Sequence, residues 1–210
     1  MKTQDIYNAF HKEFNFLNEN GFIKLNKELT WRKKDYGFDA ISILVSSYKP
    51  VYVVSFNLGI RIEFLEKLMK DFEDINPDYH HQTKSIMVMQ GKFSEELKKE
   101  YRIETDEELE SMKIDFEKIM NDYGWNFFDK YNNIESIHEE VNSKPKEPCL
   151  LYNDKCARAM YGILVAKILN KSEFDQLVFE YRDYLKEWNE YDQGRYEKLV
   201  TYLKNEYAKR

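Results

Sequence analysis

The chain is short of the residues that staple or break a fold: of 210 residues, 2 are cysteine, 4 proline and 7 glycine. Cys149 and Cys156 stand seven apart, which fits neither the close pairs of a zinc site nor a redox C-x-x-C, so both read as buried, reduced thiols. The glycines are never clustered, which excludes a P-loop and a dinucleotide-binding turn, because both need glycine where backbone approaches phosphate. No run approaches the ~18 uninterrupted apolar residues of a spanning helix. The first residues, Met1 to Ile6, lack the apolar stretch of a secretory signal. A cytoplasmic protein with no membrane partner is expected. Cations are not in excess either: 32 Lys and Arg face 38 Asp and Glu, a net charge of −6, so nucleic acid is not expected as a partner. Neither G-x-S-x-G nor H-E-x-x-H occurs, and no motif asks for a cofactor or a metal.

Aromatic residues are what the chain has in quantity, with 16 Tyr, 14 Phe and 3 Trp to fill a core. A folded chain of this length buries roughly 70% of the surface its unfolded form exposes. The acidity is local. Residues 94 to 145 carry 15 acidic and 7 basic side chains, a net of −8, while the flanking stretches are each +1.

Hydrophobic spacing gives the elements. Ile6, Phe10, Phe14 and Leu17 recur at helical intervals and predict a first helix over about 3–19, ended by Asn20-Gly21. Between Phe22 and Ile62 the period changes to two, as in Ile41, Ile43, Val45 and in Val54, Phe56, Leu58, Ile60, and the short link through Pro50 predicts an antiparallel hairpin. A fourth strand is expected at Ser85 to Met89, preceded by a helix from Glu63 to Glu73 whose stripe is Phe64, Leu65, Leu68, Met69 and Phe72. Ser94 is read as the cap of a helix containing Glu95 to Tyr101. Thr105-Asp106-Glu107-Glu108 fits a capping box for a helix through Met120, interrupted at Gly124, after which Trp125 to Val141 continues an apolar face. Beyond the linker-like Ser143 to Pro148, the apolar segment Ala157 to Ala166 predicts a covered helix within Leu150 to Leu169. Two more helices follow, one carrying Leu177, Tyr181, Tyr184, Leu185 and Trp188, the other running from about Gln193. The fold class is α+β: a single domain over 1–210, with a small antiparallel sheet and helices in a module at 1–143 and a helical extension at 149–210 packed on it.

The order of these features resembles a bacterial family known only as a domain of unknown function. The matching residues are Gly21-Phe22-Ile23-Lys24, Trp31-Arg32, Ile41-Ser42-Ile43, Phe56-Asn57-Leu58-Gly59-Ile60, the segment Trp125-Asn126-Phe127-Phe128-Asp129-Lys130-Tyr131 with Ile134 to Ile137, and the helical hairpin from Cys156. The resemblance implies a small bacterial cytoplasmic α+β protein, similar in size and acidity to immunity and other partner-binding proteins, and it transfers no catalytic residues.

The expected function is non-enzymatic protein binding: immunity-like neutralisation of a basic partner through the acidic helices, with Glu107, Glu108, Glu110, Asp115 and Glu117 as the binding residues. The alternative is a metal-dependent hydrolase acting on a small polar substrate near Asp78-Tyr79-His80-His81, a loop after Pro77 where functional groups are common. Two further groups invite a binding role: the basic aromatic stretch Trp31-Arg32-Lys33-Lys34, and the stripe Tyr181, Tyr184, Trp188, Tyr191, which at helical spacing is more often core. Oligomeric state is open.

Overall fold

Ile6, Phe10 and Phe14 fall on one face of an amphipathic first segment, and all three are buried. The computed structural model describes residues 2–205 and Tyr207; Met1, Glu206 and 208–210, which the sequence reading included in the domain, lie outside. The expected first helix is two: α1 (Thr3–Glu13) and α2 (Asn15–Glu19), parted at Phe14, whose φ of −82° and ψ of 60° leave the helical region. The break turns Leu17 inward beneath the second piece. Gly21 then adopts φ 81°, a conformation that a side chain disfavours, and the amides of Gly21 and Phe22 close on the carbonyls of Asn18 and Leu17.

Six strands form where four were expected: β1 (Ile23–Lys24), β2 (Leu29–Lys34), β3 (Gly37–Tyr48), β4 (Val51–Ile62), then β5 (Ile86–Met89) and β6 (Tyr101–Ile103). All pair antiparallel in the order β1-β2-β3-β4-β5, and β6 shares β4 with β5 by pairing with Tyr52 to Val54 where β5 pairs with Asn57 to Ile60. Between β4 and β5 lie the helix α3 (Glu63–Met69), shorter than expected, and a 3-10 turn, Pro77–Gln82. The helix expected at 95–101 does not form. Ser94 accepts the amide of Glu96 in a turn, and the chain then enters β6, where Tyr101 and Ile103 point inward.

Helix α4 (Asp106–Ile119) continues through a π-helical turn, Met120–Gly124, into α5 (Trp125–Lys130), so Gly124 widens the helix instead of ending it. Helices α6 (Ile134–Asn142), α7 (Lys155–Ile168), α8 (Phe174–Leu185) and α9 (Glu190–Asn205) complete the chain. The fold is α+β with a helical C-terminal half. Among the described residues, no helix is long and apolar enough to cross a membrane.

Contacts divide the chain into two units: residues 1–63 with 86–130, and residues 64–85 with 131–210. This partition does not follow the break at 143–148 that composition suggested, since α6 belongs with the later helices. In the first unit, Phe10 of α1, Phe14 at the break after it, Phe56 of β4 and Phe116 of α4 form a ring cluster; Phe56 and Phe116 stack 3.9 Å apart. That cluster holds the buried face of α4 and turns its opposite face to solvent.

In the second unit α7 is covered on nearly every side, as its apolar run predicts. The Arg158 guanidinium donates to the carbonyls of Val141, Lys144 and Glu147, satisfying acceptors at and beyond the end of α6. Asn142 donates to the Gly162 carbonyl and to His138 Nδ1, and accepts from the Tyr181 hydroxyl at 2.8 Å. This polar seam ties α6, α7 and α8 together.

Candidate functional site

The acidic stretch meets solvent on α4. Its start is fixed by the capping box: Thr105 Oγ1 accepts the Glu108 amide at 3.2 Å, and Glu108 Oε2 accepts the amides of Thr105 at 3.0 Å and Glu104 at 2.7 Å. Those two backbone donors hold the Glu108 carboxyl below its ordinary value. Glu108 is therefore committed to the helix end. Met112, Phe116 and Ile119 are buried, and the face opposite them carries Glu107, Glu110, Ile114 and Glu117, spaced as one helical stripe.

The five glutamates and aspartates singled out by sequence have different fates on this helix. Asp115 accepts from Lys98 Nζ at 2.9 Å, and Glu110 accepts from Lys113 Nζ at 2.7 Å. Exposed pairs of this kind contribute at most about 1 kcal/mol. Glu107 and Glu117 make no hydrogen bond or ion pair within the chain among the described residues. Between them Ile114 is 61% exposed, a large apolar side chain in a carboxylate surround.

Beside this face, the 94–101 turn and the flank of α4 enclose a cavity of about 440 Å³. Its wall includes Glu96, Asp115 and Asp122 among its acids and Lys98 and Lys118 among its bases, with Tyr101 and Tyr123 as aromatic surfaces. Lys98 reaches over the Tyr101 ring at 5.1 Å while it holds Asp115. Burial first, and Asp115 second, push the Tyr101 hydroxyl upward, so it stays protonated and polar.

The other candidates are placed differently. Trp31 and Arg32 are split across the sheet by the strand's alternation. Trp31 packs edge-on to Phe38 at 5.4 Å, beside Leu29 and Ala40. Arg32 donates from Nε to Asp39 at 2.7 Å and lies over the rings of Phe22, Trp125 and Phe128 at 5.0–5.5 Å. Tyr36 donates to the other Asp39 oxygen at 2.5 Å, and Asp39 is completely buried. Burial raises the Asp39 carboxyl against the pull of Tyr36 and Arg32. Within the stretch, Arg32 is thus spent on a largely buried ion pair under an aromatic cage, and Lys33 is its exposed cation. Its signal was available: a two-residue turn at Asp35-Tyr36 places Arg32 directly opposite Asp39.

Asp78 and His81 lie on the surface 3-10 turn, where His81 meets the Gln82 side chain at 3.0 Å. Among the described residues, no three His, Cys, Asp or Glu side chains converge in a way that could hold a metal ion. The aromatic stripe divides as well: Tyr181 is core, Tyr184 is half-buried beneath Lys155, and Trp188 and Tyr191 are exposed. Sequence reasoning missed one polar cluster entirely. Glu66 of α3 is buried and accepts from Tyr161 and Ser85, each at 2.7 Å. Compared with family models, with curated proteins and with solved structures, the chain gives no match.

Proposed function

We propose that the chain is a protein-binding module that engages a basic partner through the outer face of α4, in the manner of a neutralising protein. The observation that carries this reading is the stripe Glu107, Glu110, Ile114 and Glu117, exposed along one face with two of its carboxylates unengaged. A salt-screened field would speed the encounter, and the exposed Ile114 would supply the apolar centre that charges alone lack. The neighbouring cavity would take a Lys or Arg side chain of the partner. Sequence alone pointed to five acids of equal standing. The geometry favours Glu107, Glu110 and Glu117 as the contact residues, with Asp115 at the cavity wall and Glu108 retained for the helix cap.

The test is capture from the native host's lysate, at low and moderate salt, by the wild type and by the variant E107K/E110K/E117K. A stoichiometric basic protein, held by the wild type at low salt, released as salt rises and not held by the variant, is the expected result. Equal capture by both baits would overturn the reading. Circular dichroism of the variant should match the wild type, because none of the three residues contributes to a cap or to the core.

A further inference from the structure

The second unit contains an arrangement of acids that a single phenolic hydrogen cannot satisfy. Tyr161 of α7 lies with its hydroxyl 2.7 Å from Glu66 Oε1 and 3.4 Å from Glu73 Oε1. A tyrosine has one hydrogen to donate. If it goes to Glu66, the Glu73 carboxyl reaches the same oxygen favourably only by bringing its own proton. The chain of donors then reads Glu73 O–H to Tyr161 Oη, and Tyr161 O–H to the Glu66 carboxylate. Glu66 and Tyr161 are both buried, and Ser85 donates to the same Glu66 oxygen at 2.7 Å.

Every element around the pair can be named. Glu66 comes from α3, Lys84 and Ser85 from the end of the 64–85 segment, Tyr152 from the approach to α7, Tyr161 from α7 and Arg195 from α9. Tyr152 stacks on Tyr161 at 5.4 Å and donates to the Ser85 carbonyl at 2.6 Å. Arg195 donates to the Phe72 carbonyl at 2.9 Å and is shared with Asp192, so it only partly offsets Glu73. Lys198 holds the Asp71 carbonyl and Tyr191 reaches Asp74. The 64–85 segment is thus strapped across α7 and α9 by side chains from those helices, with the Glu66–Tyr161–Glu73 relay at its centre.

We propose that this shared proton makes the strap a pH-dependent element: docked on α7 and α9 while Glu73 is protonated, and loosened when Glu73 gives its proton to solvent and leaves two carboxylates facing one phenolic hydrogen. Burial, and then the charge of Glu66, raise the Glu73 carboxyl to about 7, against the opposite pull of Arg195 and of the Tyr161 hydroxyl. A raised acid contributes stability that is complete below its unfolded value of 4.5 and is lost as pH rises through about 7. Loosening therefore builds up between about pH 4.5 and about pH 7 and levels off above neutrality.

Hydrogen exchange by mass spectrometry on the full chain, from pH 5.5 to 8.5, tests this, with intrinsic rates corrected and α8 peptides as the internal reference. In the wild type, protection over 64–85 should fall by about 10- to 30-fold more than in α8. In Glu73→Gln the amide donates to Tyr161 in the proton's place, and protection should stay high and flat. A wild-type strap that tracks α8, one unprotected even at pH 5.5, or a Glu73→Gln strap with the wild-type slope would each overturn the proposal. Should Glu73→Gln fail to fold, a carbon-13 titration of the wild-type Glu73 carboxyl decides: a midpoint near 7 supports the relay, and one near 4.5 refutes it.

Discussion

Removing Asp39 should be among the most damaging single changes in the sheet-containing unit. Asp39 is fully buried and the Arg32 side chain is 15% exposed, so Asp39→Ala leaves a guanidinium without a carboxylate where water hardly reaches. Breaking a buried pair from one side costs about 3–5 kcal/mol. Tyr36 also loses its acceptor, about 1 kcal/mol more. Against this, Phe22, Trp125 and Phe128 still surround the cation and retain about 1–2 kcal/mol of attraction. The expected net cost is about 2–5 kcal/mol. Urea unfolding read by tryptophan fluorescence measures it, in a Trp188→Phe background that leaves Trp31 and Trp125 as reporters of this unit. The double variant R32M/D39A should recover at least half of the loss, because it removes the stranded charge. A cost below about 1 kcal/mol for Asp39→Ala, or no recovery in the double variant, would refute the reasoning.

Three smaller perturbations follow from the same contacts. Thr105→Ala and Glu108→Ala should each lower stability by about 1 kcal/mol through the helix cap, while Glu107→Ala and Glu117→Ala should stay within about 0.5 kcal/mol, as thermal melts would show. Gly162→Ala would drive a methyl to 2.6 Å from Asn142 Oδ1 and 2.8 Å from the Tyr181 ring, so the α6–α8 seam must open, at about 2–3 kcal/mol in denaturant titrations. Burial lowers the His138 imidazole, whose Nδ1 accepts from Asn142 only when neutral; its contribution is complete above the ordinary value of 6.5 and is lost as pH falls below it. His138→Gln should flatten that acid limb of the stability profile of the helical unit, and an unchanged limb would exclude His138 as its source.

Much of the fold was legible because its signals are local. The capping box at Thr105 and Glu108 announced α4, the apolar run announced α7, and the period of two announced the β3–β4 hairpin. The misreadings share a cause, which is partners distant in sequence. Ser94 offers a cap signal, yet the chain after it pairs with Tyr52 to Val54, and that ladder overrides helix propensity. Phe64 was assigned to a buried stripe and is 45% exposed, while Glu66, two residues on, is buried, because Tyr161 stands 95 residues away to receive it. On α4, composition identified the acidic stretch, but the engagement of Asp115 depends on where Lys98, 17 residues away, falls in space.

Binding through the α4 face is tested most directly by the salt dependence of affinity for the basic protein captured by the wild type. Calorimetric titration from low to moderate salt should give a dissociation constant that rises steeply with salt for the wild type. For E107K/E110K/E117K, affinity at low salt should drop by at least about 10-fold, with most of the salt slope gone. Unchanged affinity and slope in the variant, or no basic protein to titrate at all, would contradict it.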